Sequence, residues 1–325
     1  MAIALVAVAS VLCVATPAAA APDSEGGSKS LREQLESAAK GYVTAQNKLD
    51  NLKKRQLALQ LQLRQAEAAA KALEGQVGAV AAKSYRMGRV STLSVLLNSR
   101  DSDDFLQRAM RLDMMAQVDA RALGRYWAAM RSAEQAKREI DLAIKQQKVQ
   151  VDLLAKRKRQ AQNALAAAGG GRASGGFVSA NSPSAKPARR NSDGSWPRES
   201  CSVNDPTTSG CITPRMLHAY NESRLAGFKR YTSCYSRRSS GEHPKGRACD
   251  FAAAAGGFRN VNASGGDKAY GDRLASYFVK NANRLGVMYV IWYRQIWMPG
   301  SGWRSYSGRG GPSATHTNHV HLSML

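Results

Sequence analysis

Apolar residues recur at alternating intervals of four and three positions from Leu31 to Val80. A single polar residue, Gln56, interrupts this seam. A repeat sustained over so many turns is typical of a coiled coil rather than of a helix in a globular core. The seam residues are Leu31, Leu35, Ala38, Tyr42, Ala45, Leu49, Leu52, Leu59, Leu63, Ala66, Ala70, Leu73, Val77 and Val80.

The seam stops between Gly88 and Ser99, where helix-breaking residues accumulate. Ser102 and Asp103 can cap a new helix, and a second seam follows them. Two long helices separated by a broken segment predict an all-α antiparallel coiled-coil hairpin over residues 29–167. The second seam comprises Tyr126, Met130, Ala133, Lys137, Ile140, Ile144, Gln147, Val151, Leu154, Lys158, Ala161 and Leu165.

The tip of this hairpin is apolar, which is unusual for a bare loop. Two explanations remain open: the tip folds into short helices against the hairpin, or it contacts a partner. Its apolar residues are Leu93, Val95, Leu96, Leu97 and Phe105.

Residues 168–195 are rich in Gly, Ser, Pro and Ala and have no apolar period. This composition predicts a flexible linker. Residues 196–325 are therefore expected to form a second domain that folds without the hairpin.

The second domain is predicted to be α+β with a small antiparallel sheet. Thr213 followed by Pro214 marks a helix start. The stretch "VMYVIWYRQIWM" suits one or two buried strands, and "ACDFAA" and "HVHLSM" each suit one more. Alternation in the last stretch places His319 and His321 on the same face.

Residues 1–21 form an apolar run that ends in small residues, as a secretory signal peptide does. A membrane anchor is the alternative. Export makes the four remaining cysteines candidates for disulfides. Of three possible connectivities, Cys201–Cys211 and Cys234–Cys249 are favoured because each pair is close in sequence.

The formal net charge is +23. A field of this size attracts anionic partners. For an exported protein we expect an anionic cell-wall polymer or a membrane surface, and no nucleic acid. The alternative is a basic surface that has no dedicated partner.

Histidines are concentrated in two places, although the chain has five in all. His316, His319 and His321 lie in "HTNHVH", and His243 precedes Asp250 in "HPKGRACD". Two histidines and one aspartate suit a zinc ion that keeps a fourth position open, the arrangement of a catalytic site.

The form H-x-x-G-x-A-x-D followed by H-x-H resembles the superfamily of D-Ala-D-Ala metallopeptidases, lysostaphin-type endopeptidases and the Hedgehog signalling domain. The resemblance implies a zinc-peptidase fold and assigns zinc to His243, Asp250 and His321. The terminal H-x-x-H-x-H is similar to that of the penicillin-insensitive murein endopeptidases, which implies catalytic roles for His319 and His316.

The sequence departs from this pattern at the position of the catalytic base. Carboxypeptidases of the superfamily place a Glu three residues before the last His, and here that position is Asn318. The base would then be His319 or His316. A substrate-clamping Arg often precedes the first His, which points to Arg237 or Arg238 or to an ordinary solvated charge.

The helical half resembles the coiled-coil hairpins of Gram-positive cell-wall hydrolases and amidase activators, and the whole chain resembles secreted actinobacterial proteins. The resemblance implies that the tip docks on a membrane or division complex. We expect a secreted or cell-envelope zinc peptidase that acts on peptidoglycan peptides. The alternative is an inactive cell-wall-binding or hydrolase-regulating protein with the same fold.

Overall fold

The computed structural model describes residues 29–167, 170–177, 179, 181–307 and 310–325. Side chains are described from residue 33 onward, except for residues 87–92. The signal peptide predicted over residues 1–21 lies outside the described residues. Within these ranges, no helix is both long and apolar enough to cross a bilayer.

The chain forms two compact units, a helical unit of Ala45–Leu153 and a second unit made of the chain up to Thr44 and Leu154–Leu325. Helix α1 spans Lys29–Leu97 and helix α2 spans Ser102–Ala167. The helical N-terminal half is confirmed.

The predicted seam of α1 is the buried face of this helix within the helical unit. Ala45, Leu49, Leu59, Ala66 and Ala70 are all buried. The apolar period therefore identified the packed face of α1.

The predicted seam of α2 is wrong at every second position from Met130 to Lys158, whereas Leu165 at its end is buried. The structure buries Ala136 and Ala143, whereas the predicted Met130, Ile144 and Val151 are 42%, 48% and 51% exposed. Small alanines let two helices approach more closely than large side chains do, and the larger neighbours then lie outside the contact. The one-residue shift leaves large apolar side chains on the surface of α2.

The tip is shorter than predicted, because α1 continues as a helix through Gly88 and Ser91 to Leu97. Only residues 98–101 separate the two helices. The Asp101 carboxylate accepts a hydrogen bond from the Asp104 amide at 2.7 Å, which caps the start of α2. Leu93 and Leu97 remain 61% and 74% exposed.

The second unit is built on a seven-stranded antiparallel sheet in the order β1-β8-β7-β6-β9-β5-β4. A separate pair joins β2 and β3. The strands are β1 Gly170–Ala173, β2 Val203–Asn204, β3 Cys211–Ile212, β4 Thr232–Ser233, β5 Ala248–Ala252, β6 Val287–Trp292, β7 Gln295–Met298, β8 Gly302–Tyr306 and β9 His319–Met324. The helices are α3 Pro214–Leu225, α4 Gly265–Lys280 and α5 Ala282–Leu285, with a 3₁₀ turn at His243–Lys245.

The two faces of the sheet are covered by different helices. Val320 and Leu322 of β9 belong to a core with Leu274 and Phe278 of α4. On β6, Tyr289 and Ile291 belong to a second core that contains residues of α1 and α2. From the two long helices this second core takes Leu35, Ala38, Ala39, Val43, Ala161, Ala164 and Leu165.

The ends of the long helices are thus part of the sheet domain rather than of a separate one. We call residues 29–44 and 154–167 the helix roots. Arg247, just before β5, binds the Glu36 carboxylate through both terminal nitrogens at 2.6 and 2.8 Å. A domain boundary at residue 196 leaves these contacts out.

The predicted linker is also built into this domain. Gly170–Ala173 pairs with β8 as an edge strand. The Ala185 amide donates to the Asn281 side chain at 2.8 Å, and Ala185 is 3% exposed. Composition wrongly predicted a flexible linker, because this segment is held mainly through its backbone. Backbone contacts are compatible with small residues and leave no apolar period in the sequence.

Both disulfides pair as expected. Cys201 joins Cys211, and Cys234 joins Cys249. The second bridge connects the chain just after β4 to β5 inside the sheet.

Candidate metal site

Strands β5 and β9 are neighbours, and their register places Asp250 opposite His321 and Ala252 opposite His319. His243 begins the 3₁₀ turn that leads into β5. That turn closes at Gly246, which has φ of 66°. A Cβ at Gly246 would lie 2.6 Å from Cys201 Sγ and 2.7 Å from Ile212 Cα, so only glycine fits there.

The ligand atoms of His243, Asp250 and His321 lie within 4.8 Å of one another, and all three residues are buried. Asp250 Oδ1 is 2.8 Å from His321 Nδ1 and 3.2 Å from His243 Nε2. Two imidazoles thus converge on one carboxylate oxygen. The arrangement can bind a metal ion through two nitrogens and one oxygen.

In both His243 and His321, the ring nitrogen that does not face Asp250 also has a hydrogen-bond partner. His243 Nδ1 contacts the Cys234 carbonyl oxygen, and His321 Nε2 is 2.8 Å from Ser323 Oγ. Because a carbonyl can only accept, His243 Nδ1 must donate, and this hydrogen bond orients the ring with Nε2 towards Asp250. Metal-binding histidines almost always have such an outer hydrogen bond.

His319 is oriented by its sequence neighbour Asn318. The Asn318 amide nitrogen donates to the Arg259 carbonyl at 2.7 Å, which fixes the direction of the amide. Asn318 Oδ1 then accepts from His319 Nδ1 at 2.7 Å. His319 Nε2 therefore keeps a lone pair, 3.5 Å from Asp250 Oδ1.

His316 completes the histidine cluster from the loop before β9. Its ring centroid is 4.8 Å from that of His319, and the side chain is fully buried. The backbone of His316 has φ of 52°, a strained value for a residue with a Cβ. The β6–β7 turn holds this conformation, since the Tyr293 amide donates to the His316 carbonyl at 2.7 Å.

Burial raises the pKa of the Asp250 carboxyl, but the imidazoles of His243 and His319 and hydrogen bonds from His243 and His321 outweigh it. The net result is a pKa well below the usual value. Burial lowers the pKa of His319 to about 4 despite the Asp250 charge, and burial with the neighbouring imidazoles holds the pKa of His316 well below its usual value. Near neutral pH the Asp250 carboxylate is therefore charged, and the imidazoles of His316 and His319 are uncharged.

The two arginines proposed to bind substrate lie in different environments. Arg238 Nη2 is 3.7 Å from Asp250 Oδ2, and its side chain is 16% exposed. Arg237 is exposed to solvent. The structure thus brings Arg238 to the site, while Arg237 lies on the surface.

The sequence did not indicate several groups that support the site. The Cys234 carbonyl and Ser323 hold the two histidines, and Tyr289 stacks on His321 with ring centroids 5.6 Å apart. A backbone carbonyl carries no residue-type signal. Ser323 could have been suspected, because it follows His321 by two residues on one strand and so shares its face.

Comparison with known proteins gives one family match. Residues 208–317, about a third of the chain, match the model of the family described as "VldE, C-terminal domain". The matched segment contains His243, Asp250 and His316 and ends before His319 and His321. Neither the curated proteins nor the solved structures contain a match to this chain.

Proposed function

We propose that the protein is a zinc-dependent hydrolase of the cell envelope that cleaves peptide bonds in peptidoglycan. The observation that carries the proposal is the buried group of His243, Asp250 and His321, with its outer hydrogen bonds in place. The likeness to the D-Ala-D-Ala peptidase superfamily supplies the substrate class.

The donor set fits zinc. Two imidazole nitrogens and one carboxylate oxygen are ligands that zinc accepts in catalytic sites, which keep a fourth position for water or substrate. When bound, zinc would supply Lewis-acid chemistry, activating water and polarising a carbonyl. The low pKa of Asp250 keeps this ligand charged and ready to bind a cation.

His319 is proposed to accept a proton from the attacking water. Its Nδ1 is bonded to Asn318, so the lone pair on Nε2 faces the ligand group. Asn318 thus takes a different role from the Glu of the carboxypeptidases, because it orients the base instead of serving as one. His316, against the ring of His319, is proposed to stabilise charge on the substrate.

Arg238 is proposed to bind a substrate carboxylate. Its Nη2 already lies 3.7 Å from Asp250 Oδ2. Guanidinium groups pair well with carboxylates, which the stem peptides of cell walls carry. A substrate would take over this guanidinium once Asp250 binds the metal.

The helix roots support a regulatory role for the helical arm. Tyr289, which stacks on His321, belongs to the core that the roots cover. The candidate site therefore lies on the sheet face that the helix roots cover. Movement of the roots would change the packing beside the site, and this is the basis for proposing a regulatory arm.

Burial of the cluster favours a second candidate, a wall-binding or hydrolase-regulating protein without turnover. His316, His319 and His321 are between 0% and 3% exposed. A site this closed admits a metal ion more readily than a peptide. The two candidates differ in turnover and not in metal content.

The test measures zinc content and hydrolysis of purified peptidoglycan on the full chain and three variants. His321→Ala leaves two ligands and should lose both zinc and activity. His319→Ala should keep about one zinc per chain and lose activity by about 10²–10⁴-fold, the usual effect of removing a general base. His316→Ala should behave as His319→Ala does.

His218→Ala is the matched control, since His218 is a half-buried histidine whose Nε2 contacts the Lys186 carbonyl away from the site. Loss of zinc from His319→Ala, with zinc retained in His321→Ala, would reverse the assigned roles. Zinc binding by the wild type without any release of wall fragments would support the binding protein instead.

A further inference from the structure

Three aromatic side chains contact the rings of the histidine cluster, and they differ in exposure. Tyr289 and Tyr306 each lie 5.6 Å from a histidine ring, measured between centroids, and both are buried. The third, Phe258, meets the ring of His319 edge-on at 5.9 Å and is only half-buried. Of these three contacts in the described chain, Phe258 is thus the one that reaches solvent.

Strand β4 extends the sheet face of the site beyond β5. Its Ser233 lies opposite Asp250. The Ala252 amide donates to the Tyr231 carbonyl at 2.9 Å, which continues the ladder by one residue pair. Opposite residues share a face, and so do residues two apart on one strand. Tyr231, which is 55% exposed, therefore lies on the same face as Asp250 and His319.

Phe258 lies between His319 and Tyr231. Its ring centroid is 5.3 Å from that of Tyr231, again edge-on. Ala252, which lies opposite His319 on β5, is fully buried and has only a methyl side chain. The Phe258 ring therefore fills the space above Ala252, between the proposed base and the solvent.

The backbone beside Phe258 is held in place. The carbonyl of the next residue, Arg259, accepts from the Asn318 side chain at 2.7 Å, and the Ala263 amide donates to the Thr317 carbonyl at 2.8 Å. These two hydrogen bonds tie the loop between β5 and α4 to the segment that leads into β9. Access to the cluster then depends on rotation of the Phe258 side chain rather than on movement of the loop.

We propose that Phe258 closes the entrance to the buried site and limits which groups reach His319. The three histidines of the C-terminal tail are at most 3% exposed, so a ligand must pass a side chain that borders them. Rotation of Phe258 would open a gap above the methyl group of Ala252, which small side chains pass more readily than bulky ones. This limit on substrate size rests on the proposed function, whereas closure of the entrance does not.

The rates of zinc exchange on the full chain test the closure. A side chain that blocks an entrance slows entry and exit alike, whereas one that supports the ligands changes affinity. Phe258→Ala should therefore raise the rates of zinc uptake and of zinc release to a chelator about tenfold or more, with a change in Kd below about threefold. Phe258→Trp keeps the entrance filled and should not raise either rate.

Tyr231→Ala, at an exposed position, should fold normally and raise both rates by a smaller factor, because it removes the outer contact of Phe258. Val261→Ala is the matched control, since Val261 is 59% exposed on the same loop, and its rates should equal those of the wild type. Faster exchange in Arg238→Gln with no change in Phe258→Ala would place the entrance beside Asp250 and overturn the proposal.

Acylation of imidazoles by diethyl pyrocarbonate tests the entrance on the metal-free chain. Mass spectrometry should show His319 of Phe258→Ala reacting about tenfold faster or more than His319 of the wild type. His218, away from the site, is the internal reference. If the chain binds no zinc, the proposed function fails, and this measurement still decides whether Phe258 closes the entrance.

Peptide substrates test the size limit. Phe258→Ala should narrow the difference in kcat/KM between wall peptides with alanine and with leucine beside the cleaved bond. An unchanged ratio would overturn the size limit. Closure of the entrance is wrong if Phe258→Ala leaves the exchange and acylation rates unchanged, or if it changes Kd without changing both zinc rates alike.

Discussion

Cys234 contributes to the candidate site in two ways, as a half of a disulfide and as a carbonyl. Its oxygen accepts from His243 Nδ1, while its sulfur is bonded to Cys249, the residue before Asp250. One covalent bond therefore fixes the supports of two of the three candidate ligands.

We expect Cys234→Ala with Cys249→Ala to weaken zinc affinity about 10- to 100-fold, the usual effect of disturbing outer partners of metal ligands. The double variant should also lose about 3 kcal/mol of stability, because the bridge closes a loop with a sequence separation of 15. Zinc titration and chemical denaturation measure the two effects.

Cys201→Ala with Cys211→Ala is the comparison, since its loop separation of 10 predicts a similar loss of stability. Zinc affinity should fall less in this variant. Equal losses of affinity in the two double variants would mean that the bridges act through general stability alone.

Glu36 makes the stability of the protein depend on pH, and this dependence can be assigned to its ion pair with Arg247. A hydrogen bond from Arg247 lowers the pKa of the Glu36 carboxyl below its ordinary 4.5, although burial opposes the shift. A lowered pKa in the folded state means that the stabilisation is fully present above the unfolded pKa. It is lost as the pH falls through the lower, folded value.

We therefore expect Glu36→Gln to cost about 1 to 3 kcal/mol at pH 7, the range for a hydrogen-bonded charged pair, and less at pH 3. Denaturation of the wild type and the variant across this pH range measures the difference. Glu33→Gln, at an exposed position on the same helix end, is the control. A constant difference between the wild type and Glu36→Gln at all pH values would contradict the assignment.

Among the elements, the helices show which parts of the structure follow from sequence. The period of α1 identified its packed face because large apolar residues occupy most of the seam. In α2 the same method selected Met130 and Lys137, since it gives more weight to large side chains than to alanine. The structure instead packs Ala136, which is 1% exposed. The distance between two packed helices depends on the side chains of both, so the sequence of one helix cannot predict where they approach closely.

A polar contact crosses the hairpin where the α1 seam is interrupted. Gln147 Nε2 donates to Gln56 Oε1 at 2.7 Å. The sequence showed Gln56 as a break in the seam, yet its partner lies 91 residues away. Polar pairs of this kind fix the register of two helices, which supports the pairing seen here.

The corrected seam of α2 can be tested by placing leucine at position 136 in one variant and at position 137 in another. Ala136→Leu should destabilise the helical unit by about 1 to 3 kcal/mol, because the larger side chain does not fit the close contact. Lys137→Leu, at an exposed position, should change stability little. Thermal melts followed by helical circular dichroism measure both. The opposite ranking would restore the seam predicted from the sequence.

At the scale of the whole molecule, strands β5, β6, β7 and β9 and the site follow from local patterns, whereas strands β1 and β8 and the division into domains do not. Alternation placed His319 and His321 together, and the stretch "VMYVIWYRQIWM" indicated the buried strands that the structure shows as β6 and β7. Nothing in residues 29–44 distinguishes a helix root from the seam that continues beyond it. Contact between the root of α1 and β6 depends on residues about 250 positions apart, which no local period records.

The roots change what can be expected of isolated fragments. Residues 196–325 alone should not melt cooperatively even with oxidised cysteines, because the sheet face containing Met288, Tyr289 and Ile291 loses its cover. Residues 29–44, joined by a flexible linker to residues 154–325, should melt cooperatively. Calorimetry of both fragments decides the matter, and a cooperative transition in residues 196–325 at the full-chain temperature would contradict it.

Leu35 and Leu325 belong to the same core, although they lie near opposite ends of the described chain, and this affects the order in which the protein folds. A ribosome makes the root of α1 first and the strands that cover it last. At roughly 5–20 residues per second, the interval is on the order of 10 to 60 s. The two helices can pair along their seam during this interval, because both are complete well before β5 to β9. The apolar residues of the root stay exposed until the sheet strands have been synthesised and have folded. Docking of the root is therefore the last folding step, and the chain is most prone to aggregation just before it.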